Sequence, residues 1–371
     1  MIIDSHTYCF EPGNSARGYS STKEHLNWIQ SAHAQHHQPA IRLRDRKVGS
    51  SEMLADSMDR NLDNLPSVDF GIQQQEGRVI WNYGEEKYTK YFYPPNIRNC
   101  EFTPHSLISE MDYADIDLAL IHTDPMLVRD CAYLSECIEL YPDRLRAMAP
   151  VEEWRIINET DSVITQVSQA IEKHKLHAIK FNPFGYKISN EPWDDGPYRP
   201  FWEAISNLNV PVFFTLGSGP SDFRLSSIKQ KRIGYLQQLR ILIAWMERYP
   251  DTVCSLTHGF PWRLFMDDNR IVIPTEFWDP FMGDNCNLEV CFPVRIGDLY
   301  DFPYKEVWPV LEIMVEKIGS KHLLWGSDMP FQNRFCTYKQ SRQWIEKYCT
   351  FLSQKDISMI MGGTATRLLS L

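Results

Sequence analysis

The sequence predicts an α/β chain folded as a (β/α)8 TIM barrel with an insertion after the first strand. Three observations carry that expectation. Short apolar runs alternate with helix-like periods from about residue 100 onward. Eight strand candidates can be counted, with connections long enough for parallel crossovers. No Gly-x-Gly-x-x-Gly or Walker-type loop follows the first strand, which disfavours an open nucleotide-binding sheet.

The first strand is Met1 to Ser5, within a segment 1–8. Residues 9–103 form the insertion or cap; they are rich in Pro, Gly, His, Asn and Gln. An amphipathic stretch near Glu24 to Ala34 and a hairpin from Gly77 to Tyr93 are expected there, because a structureless loop of that length is improbable. Residues 104–371 supply the rest of the barrel and the C-terminal helices. A helix Pro104 to Tyr113 leads to strand Leu118 to His122, whose four apolar residues in five suit a strand covered on both faces. Helix Asp130 to Tyr141, stopped by Pro142, precedes strand Leu145 to Val151. Helix Asp161 to His174 leads to strand His177 to Asn182, and helix Pro200 to Leu208 to strand Pro211 to Thr215. Helix Ile233 to Tyr249 has apolar residues at helical spacing and precedes strand Thr252 to Thr257. Strand Asn287 to Phe292, helix Tyr304 to Ile318 and strand His322 to Trp325 follow. Helices near Tyr338 to Phe351 and Ala365 to Leu369 finish the chain.

Composition narrows the function. The 371 residues carry 38 Lys+Arg against 48 Asp+Glu, a net charge of −10 that argues against a nucleic-acid binder. The one dense basic stretch, Arg42, Arg44, Arg46 and Lys47, contains Asp45 and reads as solvated or internally ion-paired. No window approaches the ~18 apolar residues of a membrane span. The N-terminus lacks the basic and apolar regions of a secretory signal. The 9 scattered cysteines form no CxxC pair, so reduced thiols and a cytoplasmic location are expected.

In a barrel, chemistry sits at the C-terminal ends of the strands. Asp4, His6 and Tyr8 are two apart and share a face of strand one; His122 and Asp124 do so after strand two. Strand three ends in Glu152 and Glu153, of which one can face inward. Lys180 and Asn182, Thr215, His258 and Asp328 end strands four, five, six and eight, and Glu289 is a less secure contribution from strand seven. Imidazole and carboxylate together suit Zn²⁺, Mn²⁺ or Fe²⁺. Singly, His6 reads equally well as a buried histidine satisfied by a carbonyl, and Asp4 as a cap. Glu152 and Glu153 alone read as a solvated pair before a helix. His33, His36 and His37 read as structural or exposed. Trp262 is expected to line a pocket and Trp193 to lie in a lid.

These residues resemble a family. Ile3-Asp4-Ser5-His6-x-Tyr8 is similar to the opening Asp-x-His-x-His strand of the amidohydrolase-related proteins, including those like aminocarboxymuconate semialdehyde decarboxylase and dihydroxybenzoate decarboxylase. Tyr141-Pro-Asp-Arg144, Val210-Pro-Val212, Leu256-Thr-His-Gly259 and Leu324-Trp-Gly-Ser-Asp-Met-Pro330 fall in the order those proteins use, and Gly362-Gly-Thr-Ala365 resembles their terminal helix. The resemblance implies a barrel of amidohydrolase type with a divalent metal, zinc or else iron or manganese. The second His of the opening motif is Tyr8 here, and the His expected after strand five is Thr215. The expected ligand set is therefore His6, His258 and Asp328, completed by Tyr8 and Glu153. His258, Asp328 and Lys180 are expected to be catalytic. His122, Asp124, Asn182, Arg295 and Trp262 are expected to face the substrate.

The expected activity is that of a metal-dependent hydrolase or C–C lyase, such as a decarboxylase, on a small carboxylate. The missing imidazoles and extra carboxylates also resemble subunits of a two-component 2-aminoisobutyrate hydroxylase, which implies an Fe/Mn oxygenase. A catalytically silent partner subunit is a third expectation. The resemblance implies a homo-oligomer or a hetero-oligomer with a paralogous subunit.

Overall fold

The computed structural model describes residues 1–371 except 56–63, 184–188, 190, 220–226 and 269. Eight parallel strands form one sheet in chain order. They are β1 (Ile3–Thr7), β2 (Leu118–Ile121), β3 (Leu145–Ala149), β4 (Ala178–Phe181), β5 (Val212–Phe214), β6 (Cys254–Leu256), β7 (Cys286–Val290) and β8 (Leu323–Trp325). The ring closes just beyond β8. Asp328 N donates to His6 O at 2.8 Å, and Tyr8 N donates to Met329 O at 2.8 Å.

Strand periodicity explains both layers of packing. One set of alternating residues, among them Ile121, Ala149, Ile179, Phe214, Leu256 and Leu288, packs outward under the helices. The other set points inward. Leu120, Met148, Ala178, Phe213 and Leu324 fill the barrel with Leu368 and Leu369. Two residues further along the same strands stand His122 and Lys180. The chemistry-bearing layer is thus the one directly above an apolar plug.

Helices start where the sequence provides caps. Thr103 Oγ1 accepts from Ser106 N at 3.2 Å, and Pro104 occupies the first turn of helix Pro104–Ala114. Ser227 and Gln230 form a capping box, so the sixth-strand helix begins at Ile228, not Ile233, and runs to Arg248. Phe292, expected to end strand seven, instead opens the short helix Phe292–Ile296. Among the described residues no helix is long and apolar enough to cross a membrane.

The segment after β1 holds helix Thr22–Gln35 and a five-stranded antiparallel sheet. The expected hairpin is present as Arg78–Tyr83 paired with Glu86–Thr89. Ala40–Arg42, Val48–Gly49 and Gly71–Gln73 add strands that are too short to show a period. Arg42 pairs with Asp45 at 2.6 Å and Arg44 with Glu86 at 2.8 Å. Phe10 and Phe102 pair their backbones where the segment leaves and rejoins the barrel. Phe331, just after β8, packs against Phe92 of the cap (ring centroids 5.0 Å) and Tyr8 of the barrel (5.7 Å). The cap therefore sits beside the C-terminal mouth.

Candidate metal centre at the barrel mouth

His6, His258 and Asp328 come from β1 and from the turns after β6 and β8, and their ligand atoms lie within 4.8 Å of one another. His6 Nε2 is 3.5 Å from Asp328 Oδ1, and His258 Nε2 is 3.6 Å from Asp328 Oδ2. Two donors each ~2.1 Å from a tetrahedral ion stand about 3.4 Å apart, so this spacing fits a shared cation. The chemistry of the set fits as well: two imidazoles and one carboxylate suit a divalent transition metal.

The backbone is bent to achieve this. His258 (φ 61°) and Asp328 (φ 64°) both adopt the left-handed region that L-residues avoid. Such strain persists where surrounding contacts over-determine it, and it gathers at functional sites. Burial, with His6 and Arg295 nearby, holds the His258 imidazole well below its usual pKa, so it is neutral. Burial raises the Asp328 carboxyl, against the pull of His6, Arg334 and Arg295.

Tyr8 is buried with its hydroxyl 3.1 Å from His6 Nε2. His122 stacks on His6 at 3.8 Å between centroids. Both of its nitrogens are engaged: Nε2 donates to Ser5 O at 2.8 Å, and Nδ1 faces Lys180 Nζ at 3.4 Å. Lys180 also donates to Thr257 Oγ1 at 2.8 Å, and burial pulls its pKa down to about 8. Asp124 and Asn182 line one small cavity with Lys180. A second cavity of about 900 Å³ lies on the cap–barrel seam, lined by Trp28, Arg129, Glu152 and Trp154. The two share Arg129 and Trp154.

Other expected residues stand elsewhere. Glu153 is outside the ligand group: its carboxylate accepts from Asn182 N at 2.6 Å. Neither it nor Glu152 is solvated, because Glu152 pairs with Arg129 and Arg155 and both are buried. Trp262 is 1% exposed and packs on Phe292 at 4.2 Å, so it belongs to the core and does not line an open pocket. Trp193 is no lid residue; it is buried, and its Nε1 donates to Gln238 Oε1 at 2.8 Å. Arg295 is exposed at the mouth within electrostatic reach of Asp328, and its guanidinium has no hydrogen bond among the described residues. His33 is structural, with Nδ1 on Ile29 O at 2.7 Å, while His37 lies 3.8 Å from Asp298.

Two residues matter more than the sequence suggested. Asp4 is wholly buried and accepts four hydrogen bonds, from His6 N, Ser327 N, Ser327 Oγ and Tyr338 Oη. Burial pushes its carboxyl up to about 6, although the Ser327 and Tyr338 bonds work against that. Glu289 places both oxygens against His6 Nδ1, at 2.9 and 3.0 Å, and accepts from His258 N. Burial alone would raise its pKa, but the His6 ring and His258 hold it below the usual value. A charged residue inside the run Leu288–Glu289–Val290 was the signal available for it.

Glu153 gives a pH test. Burial pushes its carboxyl from 4.5 up to about 8. Between those values the unfolded chain ionises freely and the folded one resists, so wild-type stability falls as pH rises toward 8. Glu153→Gln keeps an acceptor for Asn182 N and removes the titration. Its melting temperature is expected to match wild type at pH 5 and to exceed it at pH 8, by an amount corresponding to roughly 1–3 kcal/mol. A pH-independent difference between the two melting curves would refute this.

A model of the amidohydrolase family matches residues 126–371, so the chain belongs to the amidohydrolase family. Solved structures share the fold. One is a 2,6-dihydroxybenzoate decarboxylase from Rhizobium (18% identity, 71% of this chain and 87% of that chain covered, TM-score 0.52). Another is a probable 2-pyrone-4,6-dicarboxylic acid hydrolase from Acinetobacter baumannii with citric acid bound (19%, 75% and 92%, 0.52). A third is a dihydroxybenzoic acid decarboxylase from Polaromonas sp. JS666 with bound manganese and 2-nitroresorcinol (18%, 71% and 85%, 0.50). No curated protein matches the chain.

Proposed function

We propose that the chain is a divalent-metal-dependent hydrolase or C–C lyase for a small carboxylate-bearing substrate, with His6, His258 and Asp328 as ligands. The observation that carries this reading is the approach of both imidazole Nε2 atoms to the two oxygens of Asp328, 3.5 and 3.6 Å away. A cation bound there supplies Lewis acidity toward the substrate or its water. Arg295 offers a planar fork, unengaged among the described residues, to a substrate carboxylate. Lys180 offsets the carboxylates of Glu289, Asp124 and Asp328 from the barrel interior. Burial holds the His258 imidazole well below its usual pKa, which favours the neutral ring that a ligand requires. Tyr8 and Asp124 complete the polar wall. The hydroxybenzoate and dicarboxylate chemistry in the names of the similar structures agrees with this substrate class.

The test begins with elemental analysis of protein expressed with Mn, Zn and Fe supplied. About one equivalent of metal per chain is expected. Hydroxybenzoates and lactone carboxylates are then assayed for CO₂ release and for ring opening, which separates lyase from hydrolase. Protein holding far less than one equivalent of any metal would defeat the proposal.

A further inference from the structure

We propose that Glu289 is a positioning residue that holds His6 with its proton on Nδ1 and its Nε2 lone pair turned toward Asp328 and His258. The inference rests on the metal-centre reading above and assigns the residue that pre-organises that centre. Glu289 is 1% exposed on a strand whose flanking residues are apolar. A buried carboxylate is costly unless its lone pairs are used. Here the carboxylate takes donors from both imidazole residues, and the Ser5 hydroxyl adds a longer bond to Oε1 at 3.4 Å. Both oxygens face the His6 ring, and Oε2 also takes the backbone N–H of His258. That second bond pins His258 in its left-handed conformation.

The surroundings are shaped to admit the carboxylate. A Cβ on Gly326 would strike Glu289 Oε1 and stand 2.9 Å from His6 Cβ. A Cβ on Gly259 (φ +68°) would strike the Glu289 carbonyl oxygen. On its other side the His6 ring is stacked by His122, whose own nitrogens are engaged elsewhere. Since the carboxylate only accepts, Nδ1 must carry the hydrogen. In a singly protonated ring Nε2 is then left bare, with the Tyr8 hydroxyl 3.1 Å away. Cys291 also approaches His6 and Glu289. There, however, the imidazole and carboxylate are already bonded to each other. Carboxylate–imidazole pairs of this kind commonly fix the tautomer of a ligating histidine.

Two measurements test the role. The first uses the metal-free wild-type chain with ¹⁵N-labelled histidine, the His6 ring signals being assigned by their loss in His6→Gln. Long-range ¹H–¹⁵N correlations are expected to show a protonated Nδ1 and a bare Nε2. An Nε2–H tautomer, or a doubly protonated ring, in the wild-type chain overturns the proposal. The second is a Mn²⁺ titration followed by the EPR signal of the free ion. Glu289→Gln is expected to weaken binding about 10- to 100-fold. Unchanged affinity in a folded Glu289→Gln protein overturns the positioning role. Wild-type protein that shows the Nδ1–H tautomer but binds no Mn²⁺ defeats the metal reading and leaves the positioning role supported.

Discussion

Asp328→Asn is expected to lower Mn²⁺ affinity more than about 100-fold, a loss of at least ~2.8 kcal/mol. Of the three proposed ligands, Asp328 is the one that can bring negative charge. Burial holds the His258 imidazole well below its usual pKa. An amide oxygen in the same place keeps the shape and loses the charge. The backbone tolerates the exchange, since Asn accepts the left-handed conformation that residue 328 adopts at φ 64°. Folding is not expected to suffer, because the variant removes a carboxyl that burial already disfavours. Isothermal titration with Mn²⁺ and a melting curve of the metal-free protein check both halves. A folded variant that binds Mn²⁺ as tightly as wild type would show that the ion, if any, is held elsewhere.

Asp4→Ala is expected to have the larger effect on stability. Asp4 joins β1 to the segment after β8 through Ser327 N at 2.9 Å and Tyr338 Oη at 2.6 Å, and it orders its own strand through His6 N at 3.0 Å. Alanine takes the acceptor from these buried donors and leaves the Ser327 hydroxyl only its longer bond to His6 O at 3.3 Å. The cost is about 3–5 kcal/mol, or a melting temperature lower by roughly 5 °C for a chain of this size. Asp4→Asn keeps one acceptor oxygen and is expected to lose about half as much. Calorimetry of the three proteins decides the matter; an Asp4→Ala protein that melts with wild type would refute it.

Period-two alternation made much of the site legible. His6, His122 and Lys180 are polar residues at the inward register of apolar strands, and His258 and Asp328 stand two and three residues beyond the ends of β6 and β8. Barrel geometry brings such positions to one mouth whatever their distance along the chain. The structure does bring His6, His258 and Asp328 together. Glu289 was under-read because it lies one residue before the end of β7, where only the cost of its charge distinguishes it. Trp262 and Trp193 were misplaced for a different reason. A large aromatic beside a motif suits a pocket wall and a core equally, and the neighbours that decide, Phe292 for one and Gln238 for the other, lie 30 and 45 residues away. Glu152 and Glu153 looked solvated because Arg129, which buries the first, sits 23 residues upstream, and Asn182, which bonds the second, lies 29 downstream. In the cap, helix Thr22–Gln35 was readable, but strands of two or three residues carry too little pattern to announce themselves.

The seam that shuts the barrel, where His6 O meets Asp328 N, also joins two of the three candidate ligands. Residue 6 precedes residue 328 by most of the barrel, so the proposed cation site is complete only once residue 328 has been made and docked. On the proposed reading loading comes last and works as a clasp, favouring the finished ring over partly wound intermediates by an amount that grows with the free metal concentration relative to its Kd.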